Sequence, residues 1–215
     1  MHEISNFLEP GFKRISKDGS FEKQKMSEIQ KLPAELLVID LEMSGPIPRE
    51  HEVLDVGGIL VKSELGFPEV SSWGSKVRPL HIGTGNLEAL AIAGYTSKKW
   101  RDAIPLEEAS EKISEIGKDA IITGWGINQD LLFLTETYRR LNKKWPFSEF
   151  AIDVQNIARK MVVRPEIDRY NLGHVADRLN IGRMPEHSAL GDAYTTYDVL
   201  TTLWGRITKA KRVDR

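Results

Sequence analysis

Five residues at three places along the chain have the types and spacing of a hydrolytic metal site: Asp40 with Glu42, Asp130, and His187 with Asp192. Asp40 and Glu42 follow directly on Leu36-Leu37-Val38-Ile39, a continuous apolar run that reads as a buried strand. Side chains alternate along a strand, so the two carboxylates share one face and Leu41 takes the other. Like charges at close range raise each other's pKa, and a divalent cation removes that cost. Asp130 opens the apolar stretch Leu131-Leu132-Phe133-Leu134, a place where an acid equally suits a helix dipole. Asp192 stands among Ala189, Leu190 and Ala193, where a carboxylate needs a partner or a metal. Gly191 leaves room for close approach beside it. His187, five positions before Asp192, is of the residue type that titrates near neutrality and can accept a proton.

These residues need a frame that brings them together. Val53 to Val61 reads as a second buried strand and Ser71 to Val77 as a third, joined by short connections that suggest an antiparallel meander. Helical periodicity follows over Leu106 to Ile116, Asp130 to Leu141, Leu172 to Leu179 and Leu190 to Trp204. Between them, Ala120 to Thr123 and Phe150 to Ile152 read as short strands. The pattern implies an α/β domain, a mixed sheet of about five strands, the first three antiparallel, flanked by helices. Residues 1–34, polar and rich in Lys and Ser, read as an N-terminal extension, either a helix outside the core or an arm. The domain then spans 35–207 and a basic tail 208–215.

Composition narrows the chemistry. The chain has 215 residues, 40% hydrophobic and 28% charged, enough apolar material for one sizeable core. Its net charge of -1 removes any argument from a globally basic surface, so a grip on phosphate must be local. With no cysteine, thiolate sites are excluded and hard oxygen ligands are the metal binders to expect. No apolar stretch is long enough to span a bilayer, and the first residues do not read as a secretory signal; a cytoplasmic protein is the expectation.

Asp40-Leu41-Glu42, Asp130 ahead of an apolar helix, and His187 five positions before Asp192 together resemble the three motifs of the DEDDh 3′–5′ exonucleases. That family includes polymerase proofreading subunits, ribonuclease T and the oligoribonucleases, and the likeness spans roughly residues 35 to 205. Asp153, Tyr170-Asn171-Leu172 and Ala93-Gly94-Tyr95-Thr96 are secondary likenesses; Gly126 and Gln129 depart from the usual Asn and Phe of the second motif. The resemblance implies a ribonuclease H-like fold and two divalent cations, Mg²⁺ or Mn²⁺, held by Asp40, Glu42, Asp130 and Asp192, with His187 as general base. It implies release of nucleoside 5′-monophosphates from single-stranded DNA or RNA 3′ ends, by the chain alone or as a homodimer. Leu41, Met43, Ser44, Gly45 and Trp125 are the expected substrate contacts, although Met43 equally suits a core position and Trp125 a structural one. Two alternatives stand beside this reading: an oligoribonuclease restricted to short RNA, and a non-catalytic nucleic-acid-binding adaptor on the same fold.

Overall fold

The computed structural model describes residues 12–15, 21–23, 35–161, 170–182 and 188–213, with side chains placed between 35 and 206 within those ranges. Among the described residues there are seven strands: β1 (Phe12–Ile15), β2 (Phe21–Lys23), β3 (Glu35–Met43), β4 (Val53–Lys62), β5 (Glu69–Lys76), β6 (Ile121–Gly124) and β7 (Phe150–Asp153). The α-helices are α1 (Leu87–Ile92), α2 (Leu106–Ile116), α3 (Asn128–Arg140), α4 (Val154–Met161), α5 (Leu172–Arg178) and α6 (Ala189–Val213). The strands form one sheet in the order β2-β1-β7-β6-β3-β4-β5. β3, β4 and β5 are the expected antiparallel meander, and β6 and β7 add in parallel on the other side of β3.

The N-terminal extension departs from expectation. Of its described residues, 12–15 and 21–23 form two strands that pair antiparallel with each other, the first of them also with β7, and they enlarge the five-stranded sheet to seven; the helix or arm expected of residues 1–34 otherwise lies outside the described residues. The edge of β7 would otherwise offer unpaired backbone groups, and β1 satisfies them. The signal was weak in sequence because Phe12-Lys13-Arg14-Ile15 is short and half charged.

Alternation along β3 divides the core into two layers. Leu36 and Val38 face a cluster that includes Val154 and Ile157 of α4, Val175 of α5, and Val199, Leu200 and Leu203 of α6. Leu37, Ile39 and Leu41 face the opposite cluster, with Ile113 of α2 and Leu131 and Leu134 of α3. Each such fully buried aliphatic side chain contributes roughly 1.5–3 kcal/mol. A one-residue slip of β3 would therefore exchange both layers at once. Among the described residues, no helix is long and apolar enough to cross a membrane.

Candidate active site

The site begins where β3 runs out of core. Asp40 and Glu42 continue the face of Leu36 and Val38, the face covered by α6. Asp40 is paired with Gly57 of β4, and Gly57 with Gly74 of β5, so a row of one carboxylate and two glycines crosses the sheet. The first turn of α6 rests on those glycines. A Cβ on Gly57 would lie 2.1 Å from the backbone nitrogen of Leu190, and one on Gly74 would lie 2.9 Å from the Leu190 Cβ. Because the helix sits this low, Asp192 in its first turn reaches the strand end. Asp40, Glu42 and Asp192, each half-buried, offer oxygens that all lie within 4.8 Å of one another.

Asp130 arrives from the opposite layer. α3 starts at Asn128, two residues earlier than expected, and leaves Asp130 buried in its first turn. The parallel pairing of β3 with β6 stops at Val38 and Thr123, and beyond it the Leu41 N–H donates to Asp130 Oδ1 at 3.0 Å. A buried amide needs a partner, and here the carboxylate supplies it. Asp130 is not one of the three acids whose oxygens lie within 4.8 Å of one another, yet its charge acts on Asp40.

Four acids packed this way oppose one another's ionisation. Burial pushes the Asp40 carboxyl well above the usual carboxylate range, and Asp130, Asp192, Glu42 and Asp55 push it further. Glu42 is raised to about 7, by burial first and then by Asp192 and Asp55, with Lys76 opposing. Asp130 is raised to about 7, chiefly by burial, against the hydrogen bond from Leu41. An all-oxygen cluster of crowded carboxylates fits a hard divalent cation, which favours the ionised forms.

A pH dependence follows from these directions. An acid whose folded pKa lies above its unfolded value stabilises the fold below the unfolded pKa, and that stability is lost as pH rises through the folded value. For Glu42 the shift from 4.5 to about 7 corresponds to at most about 3 kcal/mol. The melting temperature of the chelated protein should thus fall between about pH 5 and about pH 8, and Mn²⁺ should raise it more at the upper end. Equal metal-induced shifts at both ends, by calorimetry, would contradict a carboxylate cation site.

Three of the expected substrate contacts also have structural engagements. The Leu41 side chain lies in the core on the α3 side and its N–H donates to Asp130. Ser44 is buried and holds the following loop: its Oγ accepts from the Glu52 N–H, its N–H donates to the Glu52 carbonyl and its own carbonyl accepts from Asn86. Gly45 is buried against the His51 ring, which a Cβ would meet at 2.2 Å. Met43 is half-buried against the α3-side cluster, and Trp125 half-buried against the α6-side cluster. His187 lies outside the described residues, as do the side chains of the basic tail.

The secondary likenesses have structural work. Asp153 Oδ1 accepts from the Gly126 and Gln155 amides, tying the loop before α3 to the start of α4. Asn171 caps α5 through the His174 N–H. Gly94, at φ +59, ends α1 in the left-handed region that glycine favours. The two departures also have roles: Gly126 adopts φ +60, and Gln129 Nε2 donates to the Pro46 carbonyl at 2.5 Å.

Sequence reasoning missed Asp55, Lys76, Gly57 and Gly74. Glu42, Asp55 and Lys76 are paired across β3, β4 and β5, so they share the face of Asp40. Asp55 is buried and lies 3.4 Å from Lys76 Nζ. The available signal was a single charge within the apolar run Val53 to Val61, followed by two glycines.

A family model described as exonuclease matches residues 37–200, which begins within β3 and ends within α6. The chain belongs to the exonuclease family. Within that family it is of the DEDD type. It is 24% identical over 196 residues to a PolC-type DNA polymerase III of Thermotoga maritima, covering 89% of this chain and 13% of that one. With the PolC-type polymerase of Mycoplasmopsis pulmonis the identity is 27%, over 74% of this chain and 10% of the other. A Mycobacterium tuberculosis relative is matched over 26% of its length, so the chain spans at most about a quarter of these curated relatives. In fold, it matches E. coli exonuclease I in complex with a dT13 oligonucleotide at a TM-score of 0.72 and 18% identity, covering 84% of this chain and 43% of that one. The sheet and its helices thus have the ribonuclease H-like exonuclease arrangement.

Proposed function

We propose that this chain is a metal-dependent 3′–5′ exonuclease that hydrolyses the terminal phosphodiester of single-stranded nucleic acid and releases nucleoside 5′-monophosphates. The observation that carries it is the convergence of Asp40, Glu42 and Asp192 to within 4.8 Å on the frame matched by the exonuclease family. Asp40, Glu42 and Asp192 hold the cations, with Asp130, whose charge acts on Asp40, as the fourth acid of the set. Bound Mg²⁺ or Mn²⁺, as a pair, supplies Lewis-acid activation of water and charge stabilisation at the departing oxygen. His187, two residues ahead of α6, accepts the proton of the attacking water. Met43 and Trp125, both half-buried, are candidates for contact with the terminal nucleoside, together with Leu41, Ser44 and Gly45 at the end of β3. The E. coli structure with dT13 supports a single-stranded substrate.

Digestion of 3′-labelled long single-stranded DNA, the matching RNA and a dinucleotide, each with Mn²⁺ and with chelator, tests this reading. Long strands of either sugar should release mononucleotide with metal and none with chelator. Strong preference for the dinucleotide would replace the broad activity with an oligoribonuclease one. Binding of single strands without any release would favour the adaptor.

A further inference from the structure

Residues 77–104, between β5 and α2, form a third and much thinner layer beside the acids. Its buried cluster is Leu54 of β4 with Ala93, Trp100 and Ala103, and Ile82, Leu90 and Tyr95 pack against it. Lys76, 3.4 Å from Asp55, stands 4.4 Å over the centre of the Trp100 ring, so the layer abuts the row that contains Glu42. With so few buried apolar contacts, its placement depends on polar pins. The Val77 N–H and the Trp100 Nε1–H donate to the Leu54 carbonyl, each at 2.8 Å, and the Asn86 N–H donates to the Ser44 carbonyl at 2.7 Å. Two further pins come from one side chain. The Glu52 carboxylate accepts the Leu80 N–H at 2.7 Å and the His81 N–H at 2.8 Å, one on each oxygen. The Glu52 backbone meanwhile holds Ser44 twice, its carbonyl accepting the Ser44 N–H and its N–H donating to Ser44 Oγ, each at 2.8 Å. Ser44 is two residues beyond Glu42. Glu52 thus joins three segments: the end of β3, the start of β4 and the loop after β5.

We propose that Glu52 is a positioning residue for the nucleic-acid strand: its carboxylate fixes the 77–104 layer against the end of β3, and that layer receives the strand beside the acids. Around the junction, Ile47, Leu80 and Leu87 are left 45%, 77% and 83% exposed. Large aliphatic side chains in water on so firmly pinned a surface fit a ligand with apolar faces, as unpaired bases have. An ionised acceptor holds each amide more strongly than a neutral one would, which suits a layer with little core of its own. The inference rests on the exonuclease reading above.

The test separates position from charge. Both amide bonds lie at the surface, so water can replace the carboxylate and Glu52→Ala should melt near the parent. Amide exchange at Leu80 and His81 should quicken. With Mn²⁺ and a labelled single strand, KM should rise about tenfold while kcat stays within about threefold of the parent. Mn²⁺ affinity, read by electron paramagnetic resonance, should also stay within about threefold, short of the tenfold or more lost with groups that orient ligands. Glu52→Asp keeps the charge, but its shorter side chain cannot span both amides, and KM should rise likewise. Glu52→Gln keeps the length and an accepting oxygen, and should bring KM back to within about threefold of the parent. Glu50→Ala removes an exposed acid that bonds only through its backbone. It should leave KM unchanged or lower, because losing a negative charge favours a polyanion. Parent-like KM in both Glu52→Ala and Glu52→Asp would overturn the proposal, as would an equal rise in Glu50→Ala or a loss confined to kcat or Mn²⁺ affinity. If the parent binds the strand but releases no mononucleotide, the exonuclease reading fails, and the strand affinities of the same variants, by fluorescence anisotropy, decide the role of Glu52. A parent that binds no strand overturns both.

Discussion

Asp192→Ala and Asp40→Asn should each lose about a thousandfold or more in turnover, since removing a cation ligand forfeits several kcal/mol of transition-state charge stabilisation. The two acids come from elements more than a hundred residues apart in sequence (β3 and α6), so neither can substitute for the other. The same substitution should act oppositely on stability. The ionised form of Asp40 is opposed by its surroundings, through burial and through Asp130, Asp192, Glu42 and Asp55. Replacing it by the neutral, isosteric Asn removes that opposition, so the chelated Asp40→Asn protein should melt higher than the parent at neutral pH. Such a trade of stability against activity is expected at a functional site. His187→Ala should slow turnover while leaving Mn²⁺ binding largely in place, because its proposed part is to accept a proton. Mononucleotide release with Mn²⁺, beside calorimetry in chelator, reads both effects. Full turnover in Asp192→Ala would show that the cations bind elsewhere.

Gly57→Ala carries the second large effect, from a single methyl group. Its Cβ would lie 2.1 Å from the Leu190 backbone nitrogen and 2.4 Å from the Ala189 carbonyl carbon, and backbone atoms cannot rotate away as a side-chain tip can. The helix must lift or the strand must bend, at about 1–3 kcal/mol of stability. Lifting α6 carries Asp192 away from Asp40 and Glu42. A misplacement of about 1 Å at a reacting centre can cost on the order of a hundredfold in rate. The expected result is a melting temperature lower by roughly 5 °C together with a fall in kcat far beyond what that stability loss implies. Gly83→Ala, where nothing lies within 4 Å of the added Cβ, is the control and should change neither. Parent-like kcat in Gly57→Ala would mean that α6 reaches the strand by another path.

The readable part of the site was local. The period-two alternation of Leu36 to Glu42 placed both acids on one face, and β3 shows that face continuing the α6-side core. The 3.6-residue spacing over Leu106 to Ile116 matched α2 at both ends, because its buried Ala109 and Ile113 lie on one stripe. Less legible were the residues after the first acid pair. Ser44 and Gly45 look like a substrate loop in sequence, but both are occupied with holding that loop against Glu52 and His51.

Residue types and periodicity by themselves determined that strand-end acids exist, that helices carry two more, and that oxygen rather than sulfur ligands are on offer. Which acids meet was decided only by tertiary structure. Strand register set Asp40 opposite Gly57 and Glu42 opposite Asp55, and it depends on pairing between segments with no local signal of their partner. Asp130 found the Leu41 amide across 89 residues, where the shorter β6 left it unpaired. The glycine row then fixed how near α6 comes. Distances of this kind arise from close packing of whole layers, and a sequence read one element at a time does not contain them.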